Sequence, residues 1–522
     1  MKKNLTERQK SWLLLAALWL ALLIMAMLRP LAVPDEGRYG EVGRWMLISG
    51  DWLTPRLNGI PFFHKPPLLY WLSAISMSIF GVNELALRLI PALHVGLMLV
   101  VLYLSARIIT TEQIARRAAL MLGTGLVFFV GGQYINHDMA VATWIGVAIW
   151  CFAFSFMAGD KPDATLARLG FVACALGMLS KGLIGLALPG LVIFIWLIWT
   201  HQFKKLRYLP WFSGLALFAL IALPWFVMAQ QKYPAFFDYM FIGQQLDRFT
   251  ARTFNNARPW WFYLMSLVLL FFPWVFFALA EVRKKARQAG SEVVPIARAW
   301  WLLCWIWVGA ILAFFSIPTS KLVGYVMPVM PALALLAALG WERTMAHRPR
   351  ARQIFAALCF VNIVGALILV LLVGGVTRTG RSQDVAQVLA CASRPTDTVY
   401  LSGAFPYDLP FYAQTSKPLV VLEDWPELRQ KTGDGWQREL FSGADFDEEA
   451  GRVLQSPDVL VKAGMQPNNW LVIRKSNTMA EGLTGWQLFY QGAGWQMYQS
   501  GHPLAVEGPV PTEPKGLPGC KH

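Results

Sequence analysis

Eleven apolar runs, each about as long as a lipid bilayer is thick, occupy most of the first 374 residues of the chain. A helix needs about 20 apolar residues to cross the hydrocarbon core, where every backbone polar group must be paired internally. The runs lie near residues 12–28, 85–106, 118–134, 139–158, 168–180, 182–200, 209–229, 260–280, 297–316, 321–340 and 353–374. The pattern predicts a polytopic α-helical membrane protein with about 11–13 transmembrane helices, the larger number applying if the short run 66–80 is counted and another run is split.

Most lysines and arginines stand in short clusters between these runs, as orientation signals do in membrane proteins. The net charge of +15 is therefore interpreted as topology, and no nucleic acid is expected as a partner. No small-residue cleavage site follows the first run, which predicts a retained first helix and an N-terminus inside. Alternation of the spans then places these basic clusters in the cytoplasm: 107–117, 161–168, 204–207, 283–287 and 343–352.

The same alternation places the loop 29–84 and the whole region after residue 374 on the outer face. Short strand-like stretches at 399–402, 418–422 and 470–473 predict a small α/β domain there. The chain is accordingly divided into a transmembrane domain, 1–374, and an outer domain, 375–522, with a disordered tail from Pro509. Cys391 and Cys520 are the cysteines that could meet outside the membrane, and the sequence leaves their pairing open.

Acidic residues at two places on the predicted outer face are candidate catalytic residues. Asp35 and Glu36 follow the first span, and Asp138 lies at the end of a separate span on the same face. Asp35 and Glu36 could simply cap the amphipathic helix expected near Gly37. If Asp35 and Asp138 converge, the two carboxylates suit acid–base catalysis, stabilisation of a developing oxocarbenium ion, or metal binding.

Several cations share that face, where topology disfavours positive charge. They are Arg38, Lys65, Lys181, Arg248, Arg252 and Lys321. Each alone suits a solvated rim or a side chain reaching to lipid headgroups. Together they favour an anionic ligand such as a phosphate, which lysine binds as a point charge and arginine binds bidentately. The sequence has no glycine-rich phosphate loop, zinc spacing or serine elbow, which argues against an ATPase, a metalloprotease or a serine hydrolase.

Six motifs occur in order over about residues 10–345. They are Pro34-Asp35-Glu36-x-Arg38-Tyr39, Gly50-Asp51-Trp52-Leu53-Thr54-Pro55, Lys65-Pro66-Pro67-Leu68-x-Tyr70-Trp71, Ser180-Lys181-Gly182, Arg248-Phe249-Thr250 and Ser320-Lys321-x-x-x-Tyr325. This set resembles the bacterial aminoarabinose transferases that modify lipid A. Those enzymes belong, with the protein O-mannosyltransferases, to the polyprenyl-phosphate-dependent C-type glycosyltransferase fold.

The resemblance implies transfer of a sugar, with inversion, from an undecaprenyl-phosphate donor to lipid A. It also implies a multi-pass protein of the bacterial inner membrane whose active site faces the periplasm. The protein is expected to be a monomer surrounded by lipid, with the C-terminal α/β domain on the periplasmic side because the number of predicted spans is odd. On matching positions it implies Asp35 and Asp138 as the site carboxylates, and Lys65, Arg38 and Tyr325 as contacts of the donor phosphate. The charges on the outer face add Glu36 as a catalytic candidate, and Lys321 and Arg248 as candidates for the donor phosphate.

The chain departs from the family pattern at two places. His64 stands where the family commonly has glutamate before Lys-Pro-Pro, and Gln244-Gln245 stand where a metal-binding histidine is expected. No cofactor is required, while a divalent metal ion with His64 as a ligand stays open. The alternatives are transfer of another sugar to a protein hydroxyl or another glycan, or a lipid or sugar transporter. A transporter should show two related halves with interrupted helices, and the sequence has no such repeat.

Overall fold

The computed structural model describes residues 5–246, 257–285, 296–376, 380–431, 433, 435–476 and 484–501. The chain forms two compact units. The first, called the transmembrane unit, comprises Met1–Leu28, Lys65–Leu69 and Arg88–Val370. The second, called the α/β unit, comprises Arg29–His64, Tyr70–Leu87 and Leu371–His522. The domain boundary at residue 374 stays a prediction from hydropathy.

The α-helices are α1 Glu7–Ala26, α2 Asp35–Ser49, α3 Leu68–Phe80, α4 Glu84–Ile109, α5 Glu112–Thr124, α6 Leu126–Gly131, α7 His137–Met157, α8 Ala164–Lys181, α9 Ile184–Trp199, α10 Trp211–Lys232, α11 Phe262–Leu270, α12 Trp274–Lys285, α13 Arg298–Ser316, α14 Met330–Thr344, α15 Ala351–Val376, α16 Gln383–Ala392, α17 Leu409–Ala413, α18 Trp425–Gln430, α19 Trp436–Ala444, α20 Glu448–Gly451 and α21 Val459–Gly464. The 3₁₀ helices are Phe203–Tyr208 and Val323–Val329, and a π-helix covers Asp238–Leu246. The strands are β1 Arg56–Leu57, β2 Ile60–Pro61, β3 Thr398–Ser402, β4 Val420–Leu422, β5 Leu454–Gln455, β6 Asn469–Arg474, β7 Trp486–Gln491 and β8 Trp495–Ser500.

Within the described ranges, eight helices are long and apolar enough to cross a membrane, and they confirm a multi-pass membrane protein. The eleven predicted runs are all helical, but three of them differ from a single long span. Run 260–280 forms α11 and α12, bent by 114°. Run 182–200 forms the shorter α9, and run 118–134 is divided at Gly125 into α5 and α6.

The helix is interrupted at Gly125, whose backbone is extended, with ψ 132°. A Cβ atom there would lie 2.9 Å from the ring of Phe271, so the aromatic side chain occupies the space that a larger residue would need. The break between α11 and α12 contains Pro273, which cannot donate a helical hydrogen bond. Glycine and proline thus mark both interruptions, although hydropathy alone does not distinguish an interrupted run from a continuous one.

The helices of the transmembrane unit differ sharply in burial. In an 18-residue apolar stretch of the span Val323–Thr344, 83% of the residues are buried, compared with 11% in the corresponding stretch of Ala351–Leu372. The core of the transmembrane unit contains large indole rings with almost no exposure, including Trp150, Trp196 and Trp307. An apolar helix left so exposed requires a nonpolar surrounding, which lipid supplies. The first of these spans is therefore central, and the second faces lipid.

The α/β unit contains a six-stranded sheet of order β5-β4-β3-β6-β8-β7. Strands β5, β4, β3 and β6 pair in parallel, while β8 pairs antiparallel with β6 and β7. The three predicted strand regions correspond to β3, β4 and β6, so the C-terminal α/β domain is confirmed. The sequence reasoning did not identify β5, β7 or β8. Placement of this sheet in the periplasm stays a prediction.

The segment after the first span packs with this sheet. Val42 and Met46 of α2 share a buried cluster with Leu401 of β3. The β1–β2 hairpin turns at Asn58 and Gly59, both with positive φ, as an Asn-Gly hairpin turn requires. The Asn58 side chain donates to the Leu419 carbonyl at 2.8 Å and accepts from the Leu419 amide at 2.7 Å. This buried pair of hydrogen bonds attaches the hairpin to the chain entering β4.

Two sequence predictions concern residues that are only partly described. The disordered tail from Pro509 lies outside the described residues. Cys391 is disulfide-bonded, and Cys520 also lies outside the described residues. Cys151, Cys174, Cys304 and Cys359 are free thiols in the transmembrane unit.

Candidate functional site

The first candidate site residue, Asp35, begins α2. Pro34 is the N-cap residue, so Asp35 lies in the first helical turn, where the helix dipole favours a negative charge. The Asp35 carboxylate accepts a hydrogen bond from Nη2 of Arg38, one turn further along. Its side chain is 32% exposed, about twice as much as that of Arg38. Asp35 is thus held by a cation and is partly accessible to solvent.

Arg38 also contacts the C-terminal part of the α/β unit. Its Nη1 donates to Glu439 of α19, and the second carboxylate oxygen of Glu439 accepts from the Tyr407 hydroxyl at 2.6 Å. The guanidinium carbon lies 5.0 Å from the ring centre of Tyr39 and 5.5 Å from that of Tyr407. Burial acts to lower the pKa of Arg38, but Tyr39, Glu439 and Asp35 outweigh it and raise that pKa above its usual value. We call Asp35, Arg38, Tyr407 and Glu439 the Arg38 network.

A glycine allows this network to form. A Cβ atom at Gly37 would lie 2.9 Å from backbone atoms of Tyr407 and Asp408. The Asp408 carboxylate is buried and accepts from the Ser382 amide at 3.0 Å and from the Ser382 hydroxyl at 2.8 Å. Burial raises the pKa of Asp408 to about 6. Gly37 therefore lets α2 approach the chain that carries Tyr407.

Glu36, the neighbour of Asp35, is fully buried and points to other partners. It accepts from Arg29, with one N···O distance of 3.3 Å, and from the backbone amide of Ala32 at 2.7 Å. These contacts suit a carboxylate that shapes the chain before α2. Its predicted part in catalysis stays a prediction.

The second candidate carboxylate, Asp138, belongs to the transmembrane unit and stands in the first turn of α7. Asn136 caps that helix by accepting from the Asp138 amide at 2.6 Å. The Asp138 carboxylate pairs with Lys181 at the end of α8, and both side chains are largely buried, 7% and 11% exposed. The Lys181 ammonium lies 4.3 Å from the ring centre of Tyr325. We call Asp138, Lys181 and Tyr325 the Asp138 cluster.

Gly324 completes the Asp138 cluster, because any Cβ atom there would overlap the Asp138 carboxylate. This contact brings the 3₁₀ helix Val323–Val329 against the start of α7. The predicted residues Asp138 and Tyr325 are therefore in one place, together with Lys181. Two of the six motifs, those containing Lys181 and Tyr325, thus meet Asp138 in this cluster.

The predicted phosphate-binding lysines occupy different settings. Lys321 is 4% exposed, and its ammonium donates to the carbonyls of Pro318 and, at 3.2 Å, Arg258. Lys65 is partly buried at the start of the Lys65–Leu69 segment of the transmembrane unit. Arg248 lies outside the described residues. Asp35, Glu36 and Arg38 belong to the α/β unit, whereas Asp138, Lys65, Lys321 and Tyr325 belong to the transmembrane unit.

Comparison with solved structures identifies the fold. The chain superimposes on ArnT from Cupriavidus metallidurans bound to undecaprenyl phosphate with a TM-score of 0.78, covering 93% of this chain and 97% of that one at 24% identity. An archaeal oligosaccharyltransferase, AglB from Archaeoglobus fulgidus, matches with a TM-score of 0.52 at 14% identity, covering 90% and 70% of the two chains. This chain has the C-type glycosyltransferase fold. The fold implied by the six motifs is confirmed.

Sequence comparisons agree with that fold. Residues 10–240 match the family model of dolichyl-phosphate-mannose-protein mannosyltransferase, and residues 254–400 match that of the Alg9-like mannosyltransferase family. An undecaprenyl phosphate-alpha-4-amino-4-deoxy-L-arabinose arabinosyl transferase of Pseudomonas fluorescens is 34% identical over 60% of this chain and 54% of its own length. One of Erwinia tasmaniensis is 33% identical over 62% and 58%. The chain is similar to bacterial aminoarabinose transferases over part of its length, and it matches less than two-thirds of the length of these curated relatives.

The sequence leaves open a divalent metal ion with His64 as a ligand. In this C-type glycosyltransferase fold the His64 ring stacks on Phe62, with ring centres 4.3 Å apart. Among the described residues, no group of three or more histidine, cysteine, aspartate or glutamate side chains could hold a metal ion. The geometry of the described part of the chain thus offers no ready-made metal centre.

Two residues of the candidate site, Tyr407 and Glu439, were not indicated by the sequence. They lie 369 and 401 positions from Arg38 in the chain, within a region that hydropathy identifies only as an α/β domain. No spacing pattern links an arginine to a carboxylate at such a separation. Lys181 is one of the cations that the sequence places on the outer face. Its pairing with Asp138, however, follows from the packing of α7 on α8.

Proposed function

We propose that this protein is an inner-membrane glycosyltransferase that moves aminoarabinose from undecaprenyl phosphate to lipid A at the periplasmic face, with inversion. The observation that carries the proposal is that both implied carboxylates, Asp35 and Asp138, are paired with cations at helix ends in a C-type glycosyltransferase fold. The named activity of the relatives and the undecaprenyl phosphate bound to the solved ArnT support the choice of donor.

The proposed reaction is a single displacement at the anomeric carbon. The bond from that carbon to the donor phosphate breaks, undecaprenyl phosphate leaves with the electron pair, and an acceptor oxygen bonds to the opposite face of the sugar. Positive charge develops on the sugar in the transition state, and a fixed carboxylate stabilises it. Asp35 is the proposed stabilising carboxylate, because its exposed side chain is held in place by Arg38.

The acceptor decides whether a base is needed. A lipid A phosphate is already ionised near neutral pH, so its oxygen can attack without giving up a proton, whereas a hydroxyl acceptor needs a general base. The test is mass spectrometry of lipid A from cells with and without the intact gene. Lipid A that carries aminoarabinose should be present only in cells with the intact gene. An unchanged lipid A together with a modified protein or glycan would favour another acceptor instead.

For the donor phosphate we propose Lys65, Lys321, Tyr325 and Arg248. Lys65→Ala and Lys321→Ala should each weaken donor binding roughly ten- to a hundredfold, because a charge-assisted hydrogen bond contributes about 1.5–3 kcal/mol. The measurement is titration of the purified protein in detergent with undecaprenyl phosphate. Lys204→Ala is a matched control, since Lys204 is exposed in the 3₁₀ helix Phe203–Tyr208. Donor affinity that is equal in all three variants would indicate that the lysines contact lipid headgroups or solvent.

The proposed periplasmic location of the site also predicts which loops are accessible from each side of the membrane. Cysteines introduced at the exposed positions Lys417 and Lys475 should react with a membrane-impermeant thiol reagent added from the periplasmic side. Cysteines at the exposed positions Arg207 and Arg350 should react only after the inner membrane is disrupted. The parent protein, with its native cysteines, sets the background. Labelling of position 207 from outside would contradict the topology and with it the proposed periplasmic site.

A further inference from the structure

Arg38 is held at two points by carboxylates that come from distant parts of the chain. Its Nη2 donates to Asp35 and its Nη1 donates to Glu439. Because the guanidinium group is planar and rigid, fixing one of its nitrogens also fixes the direction of the other. The side chains of Arg38 and Glu439 are 15% and 14% exposed, so their attraction is weakly screened by solvent. Glu439 thus determines how Arg38 is presented to Asp35.

Glu439 is itself firmly placed. Its second oxygen accepts from Tyr407, whose ring also lies beside the Arg38 guanidinium. The helix α19 that carries Glu439 buries Leu440 and Gly443. A Cβ atom at Gly443 would overlap the backbone of Pro61 in the β1–β2 hairpin. A carboxylate on a helix packed this closely suits a fixed support rather than a mobile surface group.

The partners of Arg38 favour a positioning role for its side chain. One guanidinium pairs with two carboxylates, those of Asp35 and Glu439. Nη1 donates to Glu439 and Nη2 donates to Asp35. These contacts suit an arginine that positions Asp35.

We propose that Glu439 is a positioning residue, which acts through Arg38 to hold Asp35 in its reactive orientation. The C-terminal α/β domain then supplies a part of the catalytic apparatus. This inference rests on the proposed role of Asp35 in sugar transfer. A misplacement of about 1 Å at a reacting group can cost about a hundredfold in rate, so a support two residues removed from the substrate can affect turnover.

The test is a double-mutant cycle with Glu439→Gln and Arg38→Ala, measured as kcat and donor KM of the full-length protein in nanodiscs. Glutamine keeps the size of the side chain and deletes its charge. We expect Glu439→Gln to lower kcat about ten- to a hundredfold with the donor KM within about twofold of the parent. In the Arg38→Ala background the same substitution should have no further effect, because residues that act as one unit are not additive. Glu449→Gln, an exposed acid in the next helix, should behave like the parent.

A merely structural role would show itself differently. If Glu439 only stabilised the fold, Glu439→Gln would lower thermal stability and leave the kcat of the folded protein unchanged, which would overturn the proposal. A raised donor KM with unchanged kcat would also overturn it, because Arg38 would then bind the phosphate. Should Glu439→Gln fail to fold, Tyr407→Phe removes only the hydroxyl that holds Glu439. That variant should lower kcat severalfold, again only when Arg38 is present.

Failure of the inference can be told apart from failure of the proposed function. Normal turnover in Glu439→Gln combined with an inactive Asp35→Asn would reject the positioning role alone. Normal turnover in Asp35→Asn would reject the catalytic assignment on which the inference rests.

Discussion

Asp35→Asn should lower the rate of sugar transfer by about 10²–10³, the usual consequence of removing one preorganised charge from a transition state. Asparagine keeps the size of the side chain and can still accept a hydrogen bond from Arg38, so the substitution removes the charge and little else. Loss of a helix-capping contact would instead cost about 1 kcal/mol of stability and leave turnover nearly intact. Since Pro34 is the N-cap residue, Asp35→Asn should also spare the fold.

The measurement is single-turnover transfer from undecaprenyl-phosphate aminoarabinose by purified protein, after thermal unfolding has shown that the variant is folded. Glu36→Gln is an informative companion, because the buried Glu36 carboxylate is already occupied by Arg29 and Ala32. We expect its effect to appear chiefly as lower stability. Turnover of Asp35→Asn within a few-fold of the parent would show that the carboxylate serves only the helix.

Lys181→Met should destabilise the protein by about 3–5 kcal/mol, because it leaves the largely buried carboxylate of Asp138 without a counter-charge. Methionine retains much of the apolar length of the lysine side chain, so the lost charge accounts for most of the effect. The contact between the Lys181 ammonium and the Tyr325 ring disappears as well. The expected observation is a clear fall in the thermal midpoint in detergent.

The double variant Lys181→Met/Asp138→Asn separates stability from function. Removing both charges takes away the uncompensated carboxylate, so stability should return towards that of the parent. Sugar transfer should stay impaired, because Asp138 is a proposed site carboxylate. Lys204→Met is the matched control at an exposed lysine and should change neither property. A Lys181→Met protein as stable as the parent would mean that Asp138 is solvated, and a fully active double variant would exclude Asp138 from the site.

The amino-acid sequence by itself determined the class of the molecule. The backbone polar groups of a long apolar run can be paired inside a membrane only if the run is helical. The length and apolar character of the eleven runs therefore predicted that they are helical, as the structure shows. The alternation of apolar residues and turns after residue 374 likewise predicted β3, β4 and β6. The six ordered motifs predicted the fold, because the same residue types recur in short stretches of the chain where residues close in sequence carry out the same chemistry.

Only the tertiary structure decided which of these residues act together. Hydropathy did not show that run 118–134 is interrupted at Gly125, where the ring of Phe271 packs against the glycine. Nor did it show that Lys181 compensates Asp138, or that Glu439 holds Arg38. Ion pairs form wherever folding brings opposite charges within a few ångströms, whatever their separation along the chain. The sequence thus determined the membrane helices, three of the strands and the candidate residues of the six motifs, and packing decided the partner of each charge.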